Sequence, residues 1–462
     1  MSNLLSQLGI GANALGVQRS VSATASHNIE NASTPGFARQ RVELASLAGT
    51  TFGRVALGGG VEALGVTQAR DFFLDAQIPA ARSATAAFDA AVSVATAITT
   101  LDPNDEYGLP ASLSNFYSAL RNLSARPGDP ASRQAAVRAA ETLAQRFQGG
   151  ARDLAAARAA ADDELRATVD GANQLGREVA DLNAQIRVAR GSGAEPNDLI
   201  ARRRHLAEEL ASLTGAELFE DHGDLNLRTG AVGLVMGDRA ATFSTEPDAA
   251  NGGHLALQVT GADATGPEAL ASRDVGGRLA GILDGRDRVL GTAESKLDQL
   301  AFDFAASING VHAAGVALDG SSGRDLFDAG IVEGAAGRID VNAAITGDPR
   351  LFAAGATAAP GDSTNLLAMI ATESAPLASG SDPRAALSEL IGEFGSAVSQ
   401  IERSAEAARA VGSHLDGLRE SNRGVSIEEE IVRMTQAQRV FEAVTKVIKT
   451  ADEMLGSLMS IK

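Results

Sequence analysis

The sequence contains no cysteine and no tryptophan, and only 2 of its 462 residues are tyrosine. Without cysteine there is no disulfide, no thiol chemistry and no cysteine-ligated metal. With 15 phenylalanines in an alanine-rich chain, the apolar material is mostly Ala, Leu, Val and Ile. That suits closely approaching helices better than a deep aromatic-lined pocket. Basic charge is also short, since 40 Lys plus Arg against 58 Asp plus Glu leave a net charge of −18. Nucleic-acid binding and adsorption to anionic membranes both draw on basic residues, so this balance argues against either partner. No apolar run approaches the roughly 18 residues of a membrane span, so no membrane insertion is expected. A cleavable signal would set a basic cluster before an apolar run. Here the first basic residue is Arg19, and Gln7, Gly9, Gly11 and Asn13 interrupt the apolar positions before it. The expectation is a protein that stays in the cytoplasm or leaves by a route that cleaves no signal.

Chemical motifs are equally sparse. The histidines at 27, 205, 222, 254, 312 and 414 show no metal-ligand spacing. "LGGGVEALG" lacks the lysine of a phosphate loop and the full dinucleotide spacing. "ALDGSSGRDLFDAG" offers Asp319 and Asp325, but the twelfth position from Asp319 is Gly330, where a calcium loop needs Glu. "DPNDE" at 102 to 106 reads as caps and turns. The expectation is a non-enzyme with no catalytic residue, no cofactor and no metal.

What the chain does have is helical periodicity at both ends. Leu4, Leu8, Leu15 and Ile29, with Ile10, Ala14, Val17 and Val21 on an adjoining stripe, fit an amphipathic helix. Gly9, Gly11 and Gly16 each weaken it by about 1 kcal/mol relative to Ala, so it needs a partner. The helix meets an abrupt break in "HNIENASTPGFARQRV". Asn28, Asn31 and Ser33 compete with the helix for backbone hydrogen bonds. Thr34 is pushed out of the α region by Pro35, and Pro35-Gly36 suits a type II turn. "FARQRVEL" then has extended character. At the other end, Ser426 and Glu429 form a capping-box pair, and Glu428 to Glu430 sit where the helix dipole favours negative charge. Met434, Ala437, Phe441, Val444, Ile448, Ala451, Leu455 and Leu458 follow at steps of three and four, a coiled-coil-like stripe that calls for another helix.

Between the ends, residues 68 to 101 read as helix. From Asp129 to Arg190 the sequence reads as two helices meeting near Gly149-Gly150, and "LIARRRHLAEELASL" as a further one. The run Arg202 to Arg204, flanked by Asp198, Glu208 and Glu209, reads as a solvated face with local ion pairs. From Gly215 short alternating runs punctuated by Gly, Asp and Asn indicate hairpins. Helices resume at Gly277, and after an irregular stretch another helical region covers about 383 to 420. The fold class expected is mainly α with a β insertion, elongated and multidomain. Residues 1–45 and 425–462 form a terminal helical unit in which the two ends pair as a coiled-coil-like inner layer. Residues 46–215 and 276–424 form a helical rod, and 216–275 a small β-rich outer domain.

"ASHNIENASTPGFARQRV" resembles the N-terminal motif of the bacterial flagellar axial proteins, with Asn28, Asn31, Thr34, Pro35 and Gly36 at its characteristic positions. Phe37 stands where many members have Tyr, and Arg39, Gln40 and Arg41 give the form associated with hook-associated members. The resemblance extends through "LSNFYSALRNLSARPGDPASRQAAVRAAETLAQRF" and "GGRLAGILDGRDRVLGTAESKLDQLAFDFAASINGVHAAGVALDG". It closes with "GVSIEEEIVRMTQAQRVFEAVTKVIKTADEML". It implies a structural protein of the flagellum that forms a ring at the hook–filament junction, with the C-terminal stripe serving assembly. It implies self-assembly into a ring or tube, the hook protein and FlgL as neighbours, and a FlgN-type chaperone on the C-terminal region. It also implies export through the flagellar type III apparatus without signal cleavage. The competing readings are another axial component (FlgL-type, hook or distal rod) or a wall hydrolase carried on the flagellum. The shortness of the 216–275 region implies reduced outer domains.

Overall fold

In the computed structural model, the described residues are 2–33, 37, 39–52, 55–68, 72–97, 108–192, 196–264, 266–423 and 425–460. The first helix, α1 (Ser2–Glu30), is followed by four strands, β1 (Gln40–Ser46), β2 (Thr50–Phe52), β3 (Val55–Leu57) and β4 (Val61–Gln68). β1 and β4 pair as an antiparallel ribbon with a bulge between Glu43 and Leu44, and β2 pairs with β3 at its tip. The last helix, α12 (Ile427–Ser460), returns along α1. Gly11 lies against Ile448 and Val444, whereas Asn28 reaches Glu430, so the two helices run antiparallel. A Cβ at Gly11 would stand 2.7 Å from the Ile448 side chain. The glycine that weakens α1 on its own therefore allows the close approach that supports it in the pair. The two helices thus pair within one chain.

The rod is built from both halves of the chain. Its helices are α2 (Phe72–Ala95), α3 (Leu109–Ala125), α4 (Pro130–Gly191), α5 (Asn197–Thr214), α6 (Gly277–Leu283), α7 (Gly291–His312), α8 (Ala335–Arg338), α9 (Ala343–Gly347), α10 (Thr364–Ala371) and α11 (Pro383–Arg423). A π-helical segment, Asp284–Leu290, joins α6 to α7. α2 packs along α11, while α3 and α5 lie on α4. Five of the aromatics gather at one place: Phe116, Tyr117, Phe147, Phe304 and Phe327, with ring centroids 5.3 to 6.4 Å apart. All five are buried.

α4 is one unbroken helix of 62 residues, capped at its start by Asp129, which accepts from the Ser132 amide at 3.0 Å. The break expected at Gly149-Gly150 is absent. Gly150 is buried, and Gly337 of α8 rests 3.8 Å from the Ala151 methyl when given a Cβ. Gln148 also donates to the Ile339 carbonyl at 2.8 Å. α8 packs on α4 here, and that tertiary packing offsets a local helix penalty of about 1 kcal/mol per glycine.

Two small antiparallel sheets form the insertion. One runs β5 (Glu217–Asp221), β6 (Asp224–Thr229), β7 (Val232–Met236) and β8 (Arg239–Ala240). The other has β10 (Leu255–Thr260) between β9 (Thr242–Pro247) and β11 (Glu268–Leu270). Their inward residues Leu225, Leu227, Val235, Phe243, Leu255 and Leu257 join the α4 residues Leu165, Val169 and Ala172 in one core. A last two-stranded ribbon pairs β12 (Phe327–Asp328) with β13 (Asp340–Val341).

The arginine run of α5 is not a solvated face. Arg203 is 2% exposed and donates to Asn183 Oδ1 at 2.9 Å and the Gly223 carbonyl at 3.0 Å. Arg204 bridges Asp75 at 3.1 Å and Glu208 at 3.2 Å. Only Arg202 stays on the surface, 3.8 Å from Glu178. The expected local ion pair is present between Arg204 and Glu208, but Asp75, Asn183 and the Gly223 carbonyl, from other elements, draw Arg203 and Arg204 inward.

Candidate functional site at the joint of the terminal helices

Asn28, two residues before the end of α1, is fully buried. Its side-chain amide has the donor and acceptor of a peptide group, and it uses them as a neighbouring strand would. Oδ1 accepts from the Gln40 amide at 2.9 Å and Nδ2 donates to the Gln40 carbonyl at 2.9 Å. Nδ2 also donates to Glu430 at 3.1 Å. The start of β1 is thereby fixed to the end of α1, and both to the start of α12.

Arg39 completes the clamp. Its Nε donates to Glu430 at 2.6 Å and its terminal nitrogen to Glu429 at 2.7 Å. Arg39 and Glu430 are buried, whereas the Glu429 side chain is exposed. Burial alone would weaken the hold of Arg39 on its proton, but the two carboxylates raise it above the ordinary guanidinium value. Arg39 in turn holds Glu429 below its ordinary carboxylate value. The capping box at the start of α12 is therefore half-formed. Ser426 Oγ accepts from the Glu429 amide at 3.3 Å, but the Glu429 carboxylate points to Arg39.

The other residues of the motif surround this clamp. Asn31 Nδ2 donates to the His27 carbonyl at 3.0 Å, closing the helix end. Phe37 meets the His27 ring edge-on with centroids 5.5 Å apart. Gln40 supplies its backbone, and Arg41 is exposed on the ribbon opposite Thr67. Thr34, Pro35 and Gly36 lie outside the described residues. The terminal unit touches the rod through His27, 3.4 Å from Asp198, and the β1–β4 ribbon is tied to α5 by Asn197, which donates to the Val66 carbonyl at 3.1 Å.

Along α12, Ala437 and Ala451 are buried, Met434, Val444, Ile448 and Leu455 are half-buried, and Phe441 is 38% exposed. The Leu458 side chain lies outside the described residues. Val444 and Ile448 face α1 at Gly11, so this part of the stripe is covered within the chain. A second row, Val440, Val447 and Met454, is 43%, 61% and 53% exposed at a spacing of seven.

Two further polar clusters join distant elements, and of their contacts only the local Arg204–Glu208 pair was legible in the sequence. Glu208, 2% exposed, accepts from Arg419 at 2.8 Å, Arg204 at 3.2 Å and Arg82 at 3.3 Å, joining α2, α5 and α11. Burial would raise its proton affinity, but the three guanidiniums lower it below the ordinary value. His254 Nδ1 lies 2.7 Å from Asp162, the spacing of an acid–base pair. Asp162, however, gives its other oxygen to Arg286 and to the Leu255 amide, so the pair fixes a turn of the insertion against α4. Among the described residues no group of three or more His, Asp or Glu is placed to hold a metal ion, and no helix is long and apolar enough to cross a membrane.

The profile described as the helical domain of flagellar hook-associated protein FlgK matches residues 96–327. The chain belongs to the FlgK family. Residues 421–461 match the C-terminal profile of the flagellar basal body rod FlgEFG proteins, a segment that begins just before the clamp glutamates. Flagellar hook-associated protein 1 of Salmonella typhimurium is 31% identical over 339 residues, covering 71% of this chain and 60% of that protein. This chain thus spans under two thirds of the Salmonella relative's length. The Bacillus subtilis protein of the same description is 25% identical over 97% of this chain and 96% of its own. The solved structure of the flagellar hook junction protein FlgK from Burkholderia pseudomallei superposes with a TM-score of 0.66 at 16% identity, over 76% of this chain and all of that one. It has the same mainly helical fold with a β insertion.

Proposed function

We propose that this FlgK-family chain is a structural, non-enzymatic subunit of the bacterial flagellum that joins hook to filament as a ring of like subunits. The observation that carries the reading is the FlgK helical-domain match over 96–327 together with an axial-type C-terminal segment at 421–461. Residues 1–45 and 425–462 are the inner unit, 46–215 and 276–424 the rod, and 216–275 the outer insertion. The motif residues Asn28, Arg39 and Gln40 set the angle at which α1 leaves the ribbon. The stripe from Met434 to Leu458 first pairs with α1, and the exposed row Val440, Val447 and Met454 remains for neighbouring subunits. The hook protein and FlgL are the neighbours. A FlgN-type chaperone covers the C-terminal region before export through the flagellar type III apparatus, without a cleaved signal. Electron microscopy of a strain lacking this chain tests the role. Hooks should assemble, filaments should be missing, and flagellin should appear in the medium. Normal filaments in that strain would remove the junction role.

A further inference from the structure

The β insertion rests on α4 through apolar contacts, and such contacts have no preferred direction. A row of polar side chains on α4 supplies one. Asp162, Asn173 and Asn183 are eleven and ten residues apart, close to three helical turns (about 10.8 residues) and so on one face, about 16 Å from one to the next. Each grips backbone of the insertion. Asn173 accepts from the Phe243 amide at 2.8 Å and donates to its carbonyl at 2.9 Å. Asn183, fully buried, treats Leu225 the same way at 3.0 Å each and also donates to the Gly237 carbonyl at 2.7 Å. Asp162 accepts from the Leu255 amide at 3.2 Å, and Arg286 of the π segment, 1% exposed, donates to the Leu255 carbonyl at 2.8 Å.

The chain enters and leaves the insertion through one crossing, level with the 164–171 stretch of α4 and so between the first two grips. The Gly276 amide donates to the Thr214 carbonyl at 2.9 Å, and Gly215 and Gly277 have φ of 73° and 58°. A Cβ at Gly215 would collide with the Gly276 backbone. The insertion is therefore attached at a glycine crossing and held along α4 by three polar grips.

We infer that the row Asp162–Arg286, Asn173 and Asn183 is a register lock. It holds the insertion at one axial position and angle on the rod, where the apolar core alone would permit several. Buried polar groups can fix a unique arrangement even where they add little net stability. The lock sets the height and facing of everything the insertion presents outward, including a cavity of about 440 Å³ lined by Phe219, Arg228, Met236 and Val259.

Because the chain has no cysteine, nitroxide labels at Asp170→Cys on α4 and Ser244→Cys on β9 report the spacing of rod and insertion by electron–electron resonance. With the lock intact the distance distribution should be a single narrow peak. In Asn173→Leu/Arg286→Met it should split or broaden, and the amides of Phe243 and Leu255 should lose exchange protection while those of α3 and α7 keep theirs. An unchanged distribution would overturn the inference, because apolar packing would then suffice. If that variant loses its fold, Asn173→Leu alone decides by the same readout. Broadening supports the lock, whereas an unchanged peak or global unfolding of the single variant overturns it.

Discussion

The aromatic centre of the rod and the clamp of the terminal helices are held in opposite ways. Phe304, the four aromatic rings around it and their aliphatic neighbours form a buried cluster held chiefly by packing. At the clamp, α1 and α12 offer only a thin apolar seam of Ala, Val and Ile beside Gly11, and the decisive contacts are Asn28, Arg39 and Glu430. The rod is stable by burial, and the terminal pair is positioned by hydrogen bonds. One region supplies strength and the other supplies an angle.

The largest effect that would test this contrast is expected at Phe304. Phe304→Ala should lower the unfolding free energy of the rod by about 3 to 5 kcal/mol, read by denaturant unfolding. A loss under 1 kcal/mol would mean the cluster repacks and is not the rod's main support.

Glu430→Ala leaves Arg39 buried beside a single exposed carboxylate. Loss of one partner of a buried pair costs about 3 kcal/mol, but here it should appear only as opening of α1 and α12. Hydrogen exchange should quicken in residues 2–30 and 427–460 while the denaturant midpoint of the rod stays put. A matching shift in the rod would show that the two regions unfold as one and erase the distinction.

A smaller, pH-dependent loss is expected inside the rod. His312 is fully buried, its Nδ1 2.7 Å from the Arg324 carbonyl and its Nε2 accepting from the Ala353 amide at 3.0 Å. Both bonds require the neutral ring with its proton on Nδ1. Burial lowers its pKa below the ordinary 6.5; the Arg324 charge adds to the lowering, and the Arg324 carbonyl and Asp325 oppose it. The unfolded state therefore binds the proton more readily. The stabilisation is fully present above pH 6.5 and is drawn down as the pH falls from there through the folded value. The denaturant midpoint should decline over that interval in the parent and lose this component in His312→Gln. An equal decline in both would exclude His312 as the source.

The smallest effect is expected at Phe441. It is 38% exposed on α12, so Phe441→Ala should change the stability of the isolated chain by no more than about 0.5 kcal/mol. Its recovery in isolated hook–basal bodies should nevertheless fall. A loss of several kcal/mol in the isolated chain would place Phe441 in the chain's own core.

The sequence made α12 legible almost to the residue, because Ser426, the run of glutamates and a regular apolar step are all local signals. The β insertion was legible for the same reason, from alternation and glycines between Gly215 and Gly277. The clamp was only half visible. Glu429 and Glu430 read as cap and dipole residues because their partner, Arg39, is some 390 positions away. Nothing in spacing or charge pattern joins them. The unbroken course of α4 through Gly149-Gly150 was hidden likewise, since the glycine penalty is local and the packing of α8 that offsets it is not. Arg203 was misplaced for a related reason, its buried partners Asn183 and Gly223 lying on other elements.

The clamp also fixes an order of events. Asn28 and Glu430 are separated by 402 positions, and contacts that close long stretches of chain form late and slowly. A chain that emerges from a ribosome or a narrow passage with its N-terminus leading holds α1 without its partner until residues 427–460 follow. The rod, whose α3–α4 hairpin is local, can fold in the meantime. Pairing of the two ends is thus the last step to close, and throughout that delay the α1 seam is open to any other helix with a matching stripe.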